Sequence, residues 1–342
     1  MNKEITAIDE LLDEHGELKH PGYSKNMVQI YDRSKIKANK LRIKEWDYYL
    51  IYNKNFGLAL TIDDNSYMGL SSVTFLDFKN KSEHTESRMK MMTKGKVKLP
   101  SSSASGDLEF NTKDSQMKFV NNGDSRVLTF KLNKFVDEVI KGKITLTKRP
   151  DESMVIMTPF KKAKHFYYNQ KIVGFVAEGE VTIGKKTYKF LEDNTRAILD
   201  WGRGVWTYKN TWYWGGACFR QDNHEIGFNI GYGFGDTSHA TENMLFFDGK
   251  AQKLDEVRFN IPLDENGREE YTKPWTFTSN DGRFEMDFVP IIDRHADTNL
   301  LLIRSLAHQV FGHYTGSIVL DDGTKIKITK QVGFAEKVTN KW

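Results

Sequence analysis

From Trp46 onward the chain reads as short runs of aromatic and β-branched residues separated by turn residues, and this pattern constrains the fold more than any other feature. Trp46–Tyr52 is one such run, Gly57–Ile62 a second and Tyr67–Phe78 a third. Shorter runs follow at 107–111, 116–120 and 126–132, the last two separated by Asn121-Asn122-Gly123, a turn signal. Strands recurring roughly every 8–12 residues indicate a sandwich or barrel. No amphipathic helix longer than about three turns is convincing, so the predicted class is all-β, built of antiparallel barrels. Residues 1–22 read as a polar N-terminal arm, with weak helical spacing over Ile5–Leu18 that breaks at Pro21-Gly22.

At 342 residues the chain exceeds what one core usually serves, because single cores stop growing at about 250–300 residues. Two segments resemble each other. One runs from Gly174 through Gly179 to Phe190, the other from Gly312 through Gly316 to Ile328. Each reads as a hairpin with an internal glycine, and Asp322-Gly323 is a strong hairpin turn. A duplicated β-module explains the pair better than a short solenoid repeat; convergent hairpin chemistry is the alternative. The expected modules are 23–192 and 193–342.

Composition narrows the function classes. Aromatic residues reach 13%, and such residues favour strands and line apolar pockets. The single cysteine, Cys218, excludes an intramolecular disulfide and a multi-cysteine zinc site; in its apolar strand it reads as a small core residue. No window approaches 18 consecutive apolar residues and the first ten residues lack an apolar signal core, so no integral membrane insertion and a cytoplasmic location are expected. A net charge of +4, from 50 basic and 46 acidic residues, is too balanced to imply nucleic acid. Two stretches, Arg33–Lys44 and Lys79–Lys98, are locally basic. They suit an anionic partner or membrane surface, or, as the commoner case, a solvated edge strand carrying protective lysines.

Candidate chemistry concentrates between Asp200 and Trp214. In Asp200-Trp-Gly-Arg-Gly-Val-Trp206, Asp200 and Arg203 are near enough in sequence to pair, as a structural clamp or as catalytic groups. Trp212 and Trp214 share one face of a strand, where two indoles either fill a core or wall a pocket. Beyond them, Phe228, Ile230, Tyr232 and Phe234 alternate with Asn229 and three glycines, so one face is apolar and the other nearly bare; something bulky should approach the bare face. The glycine pattern opens no helix and is no dinucleotide fingerprint. Asp236, His239 and Glu242 gather at the end of that strand, and capping of a turn ranks above acid–base chemistry, with metal ligation last. His313, followed by Tyr314, lies in the final hairpin and is more often structural than catalytic in such a place. No redox cofactor and no metal is called for.

The motifs Asp200–Trp206, Trp212-Tyr-Trp-Gly215, Gly227–Asp236, Ala240–Asn243 and Gly333-Phe-Ala-Glu-Lys337 resemble the bacterial family called domain of unknown function 2804, most densely from Phe190 to Trp342. More remotely the chain is similar to the two-module, lipocalin-like carotenoid 1,2-hydratase and tocopherol cyclase group, in which a glycine–aromatic hairpin leads into an acidic Trp-Gly motif. That resemblance implies two lipocalin-like (calycin-type) barrels. The hydratase-type motif carries a histidine before Trp-Gly; here Ile198-Leu199-Asp200 precede it, so only Asp200 is retained.

Three functions fit these residues. The first is a hydratase, cyclase or isomerase acting on an apolar or amphipathic, lipid- or isoprenoid-like small molecule. Its pocket would be walled by Trp201, Trp206, Trp212 and Trp214. Asp200 would serve as acid or orienting group, and Arg203 would hold it or bind an anion. His239, Glu242 and His313, with Asn229, Tyr232 and Tyr314, would contribute polar contacts. The second is a non-catalytic carrier using the same cavity, and the third a structural or interaction protein with filled barrels.

Overall fold

The computed structural model describes residues 2–300 and 303–341. It is nearly all β, with two 3-10 turns at Arg33–Lys35 and Lys40–Arg42 and no α-helix among the described residues. Two curled antiparallel sheets form two lipocalin-like modules. The first runs in the order Ser82–Met91, Met68–Asp77, Phe56–Asp64, Ile43–Tyr52, Arg196–Val205, Phe166–Ile183, Glu138–Thr147, Arg126–Phe135, Ser115–Asn121 and Leu108–Asn111. Its two ends approach each other: Arg88 Nε bonds Asp114 Oδ2 at 2.9 Å and Nη2 donates to Lys134 O at 3.2 Å. The second sheet runs Lys250–Lys253, Met244–Phe247, His224–Tyr232, Lys209–Gln221, Lys325–Lys341, Ile303–Val319, Phe284–Leu300, Trp275–Ser279 and Val257–Asn260.

The two orders repeat. In each, a four-strand meander meets a strand from the C-terminal part of its module, which pairs in turn with a strand of 17 or 18 residues. The two resembling hairpins occupy the same place in both. A side chain at Gly179 would strike Lys143 O and the Ile144 backbone, and one at Gly316 would strike Glu285 O and the Met286 backbone. Only glycine lets these neighbouring strands approach so closely.

The sheets meet later in the chain than the boundary expected at 192/193. Arg196–Val205 is hydrogen-bonded into the first sheet, between Ile43–Tyr52 and Phe166–Ile183, and the chain enters the second sheet at Lys209. The described residues 2–22 of the N-terminal arm form no helix. Asp9–Glu10 pairs with Gln29–Ile30, and Lys3 N donates to His239 O at 2.8 Å, tying the arm to the second module. The basic stretch Lys79–Lys98 contains the edge strand Ser82–Met91, largely solvated, while Arg33–Lys44 carries the two 3-10 turns.

Among the described residues, buried apolar side chains form three clusters. Two occupy the module interiors, around Trp201 and Tyr168 in the first and around Trp275 and Tyr314 in the second. The third lies between the modules and includes Tyr48, Tyr52, Tyr167, Trp206, Trp214, Phe234 and Phe334. Strands here are buried on both faces, and every residue of Arg196–Val205 is buried. No described helix is long and apolar enough to cross a membrane.

Candidate functional site

Strand alternation decides which side chains reach the space between the modules. On Arg196–Val205, Ile198, Asp200 and Gly202 face the second module, whereas Leu199, Trp201 and Arg203 face the interior of the first. Asp200 and Arg203 therefore point to opposite sides and do not pair. Arg203 is fully buried, pairs with Asp47 at 2.9 Å, donates to the carbonyls of Trp46, Gly202 and Pro100, and sits over the Trp201 ring. It is a scaffold clamp. Trp201 packs edge-on against Tyr31 and Tyr168 and walls no inter-module space.

A cavity of about 370 Å³ lies between the modules. That is within the range of small-molecule sites, roughly 300–1,000 Å³. Trp206, Trp212 and Trp214 line it together with Trp46, Tyr48, Tyr167 and Phe234. Trp206 meets Trp46, Trp212 and Phe234 edge to face, with ring centroids 5.2, 5.9 and 4.9 Å away. Such T-shaped contacts fix an aromatic wall beyond what burial alone provides. Gly202 makes room for it, since a Cβ there would collide with the Trp46 ring.

Polar groups converge on this wall. Asp200 Oδ1 is ion-paired with Lys171 Nζ at 2.7 Å and accepts from Asn169 Nδ2 at 2.6 Å. Lys171 Nζ also stands 3.9 Å from the centroid of the Trp214 ring. Glu336 accepts from Trp212 Nε1 at 3.0 Å and from Gln309 Nε2 at 2.9 Å. Burial pushes its carboxyl up to about 7 despite those donors and the opposing charge of Lys171. Glu242 is equally buried, and burial raises it to about 7, again against Lys171. Its side chain makes no hydrogen bond among the described residues. Asp63, also at the cavity, is raised to about 7 by burial.

The remaining sequence candidates fall into different places. Asn229 is fully buried and supports the site: its Oδ1 accepts from Trp214 Nε1 at 2.7 Å and its Nδ2 donates to Glu242 O at 2.8 Å. The bare face of its strand does receive bulk, with Val173 against Gly227 and Glu242 beside Gly231. Tyr232 stacks on Tyr213 at 4.5 Å away from the indole wall. Tyr314 is inside the second module and donates to Phe334 O. His313 borders a separate groove with Tyr52, Arg196 and Cys218. His239 is exposed, and Asp236 caps its turn by accepting from Ser238 N at 3.1 Å. No group of three or more His, Cys, Asp or Glu side chains among the described residues is placed to hold a metal.

Sequence inspection passed over Lys171, Glu336, Gln309, Arg294, Trp46, Tyr48 and Tyr167. One signal marks one of them: Glu336 interrupts an otherwise apolar alternate face, between Phe334 and Val338.

The family model described as Domain of unknown function (DUF2804) matches residues 2–342. No curated protein matches the chain by sequence. Among solved structures, the AttH-like protein NE1406 of Nitrosomonas europaea aligns with a TM-score of 0.56 at 10% identity, over 90% of this chain and 95% of that one. Kievitone hydratase from Nectria haematococca aligns with a TM-score of 0.49 at 11% identity, over 98% of each chain. At these identities the first likeness speaks for the fold alone, and the second carries no argument.

Proposed function

The chain belongs to the DUF2804 family, and from that footing we propose that it is a cofactor-independent enzyme that moves a proton on an apolar or amphipathic small molecule bound between its modules. The observation that carries this reading is Glu242, a buried carboxyl without a hydrogen-bond partner among the described residues. It sits in an indole-walled cavity, and burial holds it protonated up to about pH 7. A neutral carboxylic acid in such surroundings can act as general acid. It gives its proton to one carbon of a carbon–carbon double bond, leaving a cation on the other. Water, or a nucleophile within the substrate, bonds to that cation. The carboxylate then takes back the proton released by the nucleophile, or one from a neighbouring carbon, so the acid is regenerated. These routes are hydration, cyclisation and isomerisation.

The tryptophan faces suit the transient cation, since an indole face attracts positive charge by about 2 kcal/mol or more when desolvated. Lys171 already occupies one such face. The Asp200–Lys171 pair supplies fixed charge next to Glu242 and orients the substrate.

The test is incubation with a lipid-soluble extract of the host cell, followed by mass spectrometry of the bound and released compounds. The expected result is a compound released with one added water, or as an isomer, by the native protein and not by Glu242→Gln. A compound bound and released unchanged by both would make the protein a carrier. No bound compound would overturn the cavity as a site.

A further inference from the structure

Arg294 lies on the strand Phe284–Leu300 and reaches the first module, where its Nε donates to Thr85 Oγ1 at 3.2 Å. Its Nη1 donates to Gln309 Oε1 at 3.0 Å. Both acceptors are neutral, and among the described residues Arg294 has no carboxylate partner. By contrast Arg196, which also reaches from one module to the other, holds the carboxylate of Glu225. Arg294 nevertheless lines the inter-module cavity. A partly buried guanidinium without a counter-charge is costly unless an anion arrives from outside.

A second observation points the same way. The Tyr48 hydroxyl is buried at the same cavity and makes no hydrogen bond of good geometry, although the Gln309 amide lies alongside. After burial, the strongest influence on that hydroxyl is the nearby positive charge of Arg294. A buried hydroxyl left without a partner is unfavourable, and a ligand acceptor would satisfy it. A cation and an unsatisfied donor thus stand together, while Trp46, Trp206 and Phe234 wall the rest of the space.

Resting on the reading of this cavity as a substrate site, we propose that Arg294 and Tyr48 form an anion subsite and that the substrate is an apolar molecule bearing a carboxylate. The planar guanidinium matches a carboxylate through paired N–H donors, which a point-charge cation does not. Asp200 does not compete for Arg294, being already paired with Lys171. The bound anion would also lie one amide away from Glu336, through Gln309, and its charge would help keep that carboxyl protonated.

Decanoate and 1-decanol share a chain and differ in charge, so they separate the subsite from the cavity. Both are titrated against the indole fluorescence of the intact protein. The expected result is at least tenfold tighter binding of decanoate, a preference abolished in Arg294→Gln and reduced severalfold in Tyr48→Phe, with decanol affinity falling less than decanoate affinity in both variants. Tyr48→Phe keeps the ring and its packing, so it decides the matter should Arg294→Gln fail to fold. Equal affinities for the two probes in the native protein would overturn the subsite and leave the cavity standing. Binding of neither would overturn both.

Discussion

Asp200 and Glu336 are one position of the fold used twice. Asp200 stands opposite Lys171 on one side and Tyr48 on the other, and Glu336 stands opposite Gln309 and Trp214. Counted back from the matching glycines, Lys171 precedes Gly179 and Gln309 precedes Gly316 by nearly the same interval, the one-residue difference being the bulge at Gly174. The flanking residues agree: Ile198 and Phe334 face the module contact, Leu199 and Ala335 their own interiors. Both accept from an amide, but Asp200 also holds the Lys171 ammonium, where Glu336 holds the Trp212 indole N–H.

Lys171→Met tests that difference. Removing the ammonium leaves Asp200 buried without its counter-charge, a change that typically costs about 3–5 kcal/mol. Denaturant unfolding of both proteins measures it, and an unchanged stability would show that the Lys171 ammonium does nothing to hold Asp200.

Glu242 titrates near 7 in the folded protein against an ordinary value of 4.5. Between those values the folded chain holds a proton that the unfolded chain has released, so this group's contribution to stability declines as pH rises from 4.5 to 7 and is level above. Glu242→Gln removes that dependence. The variant should therefore gain on the native protein by a few kcal/mol at most between pH 5 and 8, read from melting temperatures. Parallel curves over the whole range would place Glu242 outside the buried acid set.

Gly202→Ala should displace the Trp46 ring, because the added Cβ occupies its place. Trp46 would leave its stack on Tyr167 and its edge contact with Trp206, 6.1 and 5.2 Å away. Overpacking of this kind costs about 1–3 kcal/mol. Near-ultraviolet circular dichroism should lose aromatic signal while the far-ultraviolet β spectrum stays; an unchanged aromatic spectrum would contradict the contact.

Arg203→Met separates scaffold from site. The guanidinium is wholly enclosed, and its loss strands Asp47, whose carboxyl burial already pushes up. Destabilisation by about 3–5 kcal/mol is expected, with ligand affinity at the inter-module cavity unchanged under folding conditions. A selective loss of affinity in calorimetric titration, without loss of stability, would return Arg203 to the site.

Much of the fold is legible in the chain because β structure is written locally. The turn at Asn121-Asn122-Gly123 joins two strands where its residues require it, with Gly123 at φ +82°, and Asp322-Gly323 closes the last hairpin with Gly323 at φ +86°. The site is legible only where it is dense in sequence. Asp200, Trp206, Trp212, Trp214 and Glu242 fall within one stretch and all reach the cavity. Lys171, Arg294 and Glu336 come from strands far apart along the chain, and nothing local announces their meeting.

Alternation of side chains along a strand follows from the two-residue period of the backbone, and it sets Asp200 and Arg203 on opposite faces, against the pairing expected of them, because Arg196–Val205 continues as one strand through Gly202. The sequence alone determined that Trp212 and Trp214 share one face. It could not say which face is the interior of a module and which the contact between modules. Arg196–Val205 is buried on both, and a strand with two buried faces carries no polar side to distinguish them. Only the docking of the second sheet on the first made Asp200 part of a cavity and Trp201 part of a core.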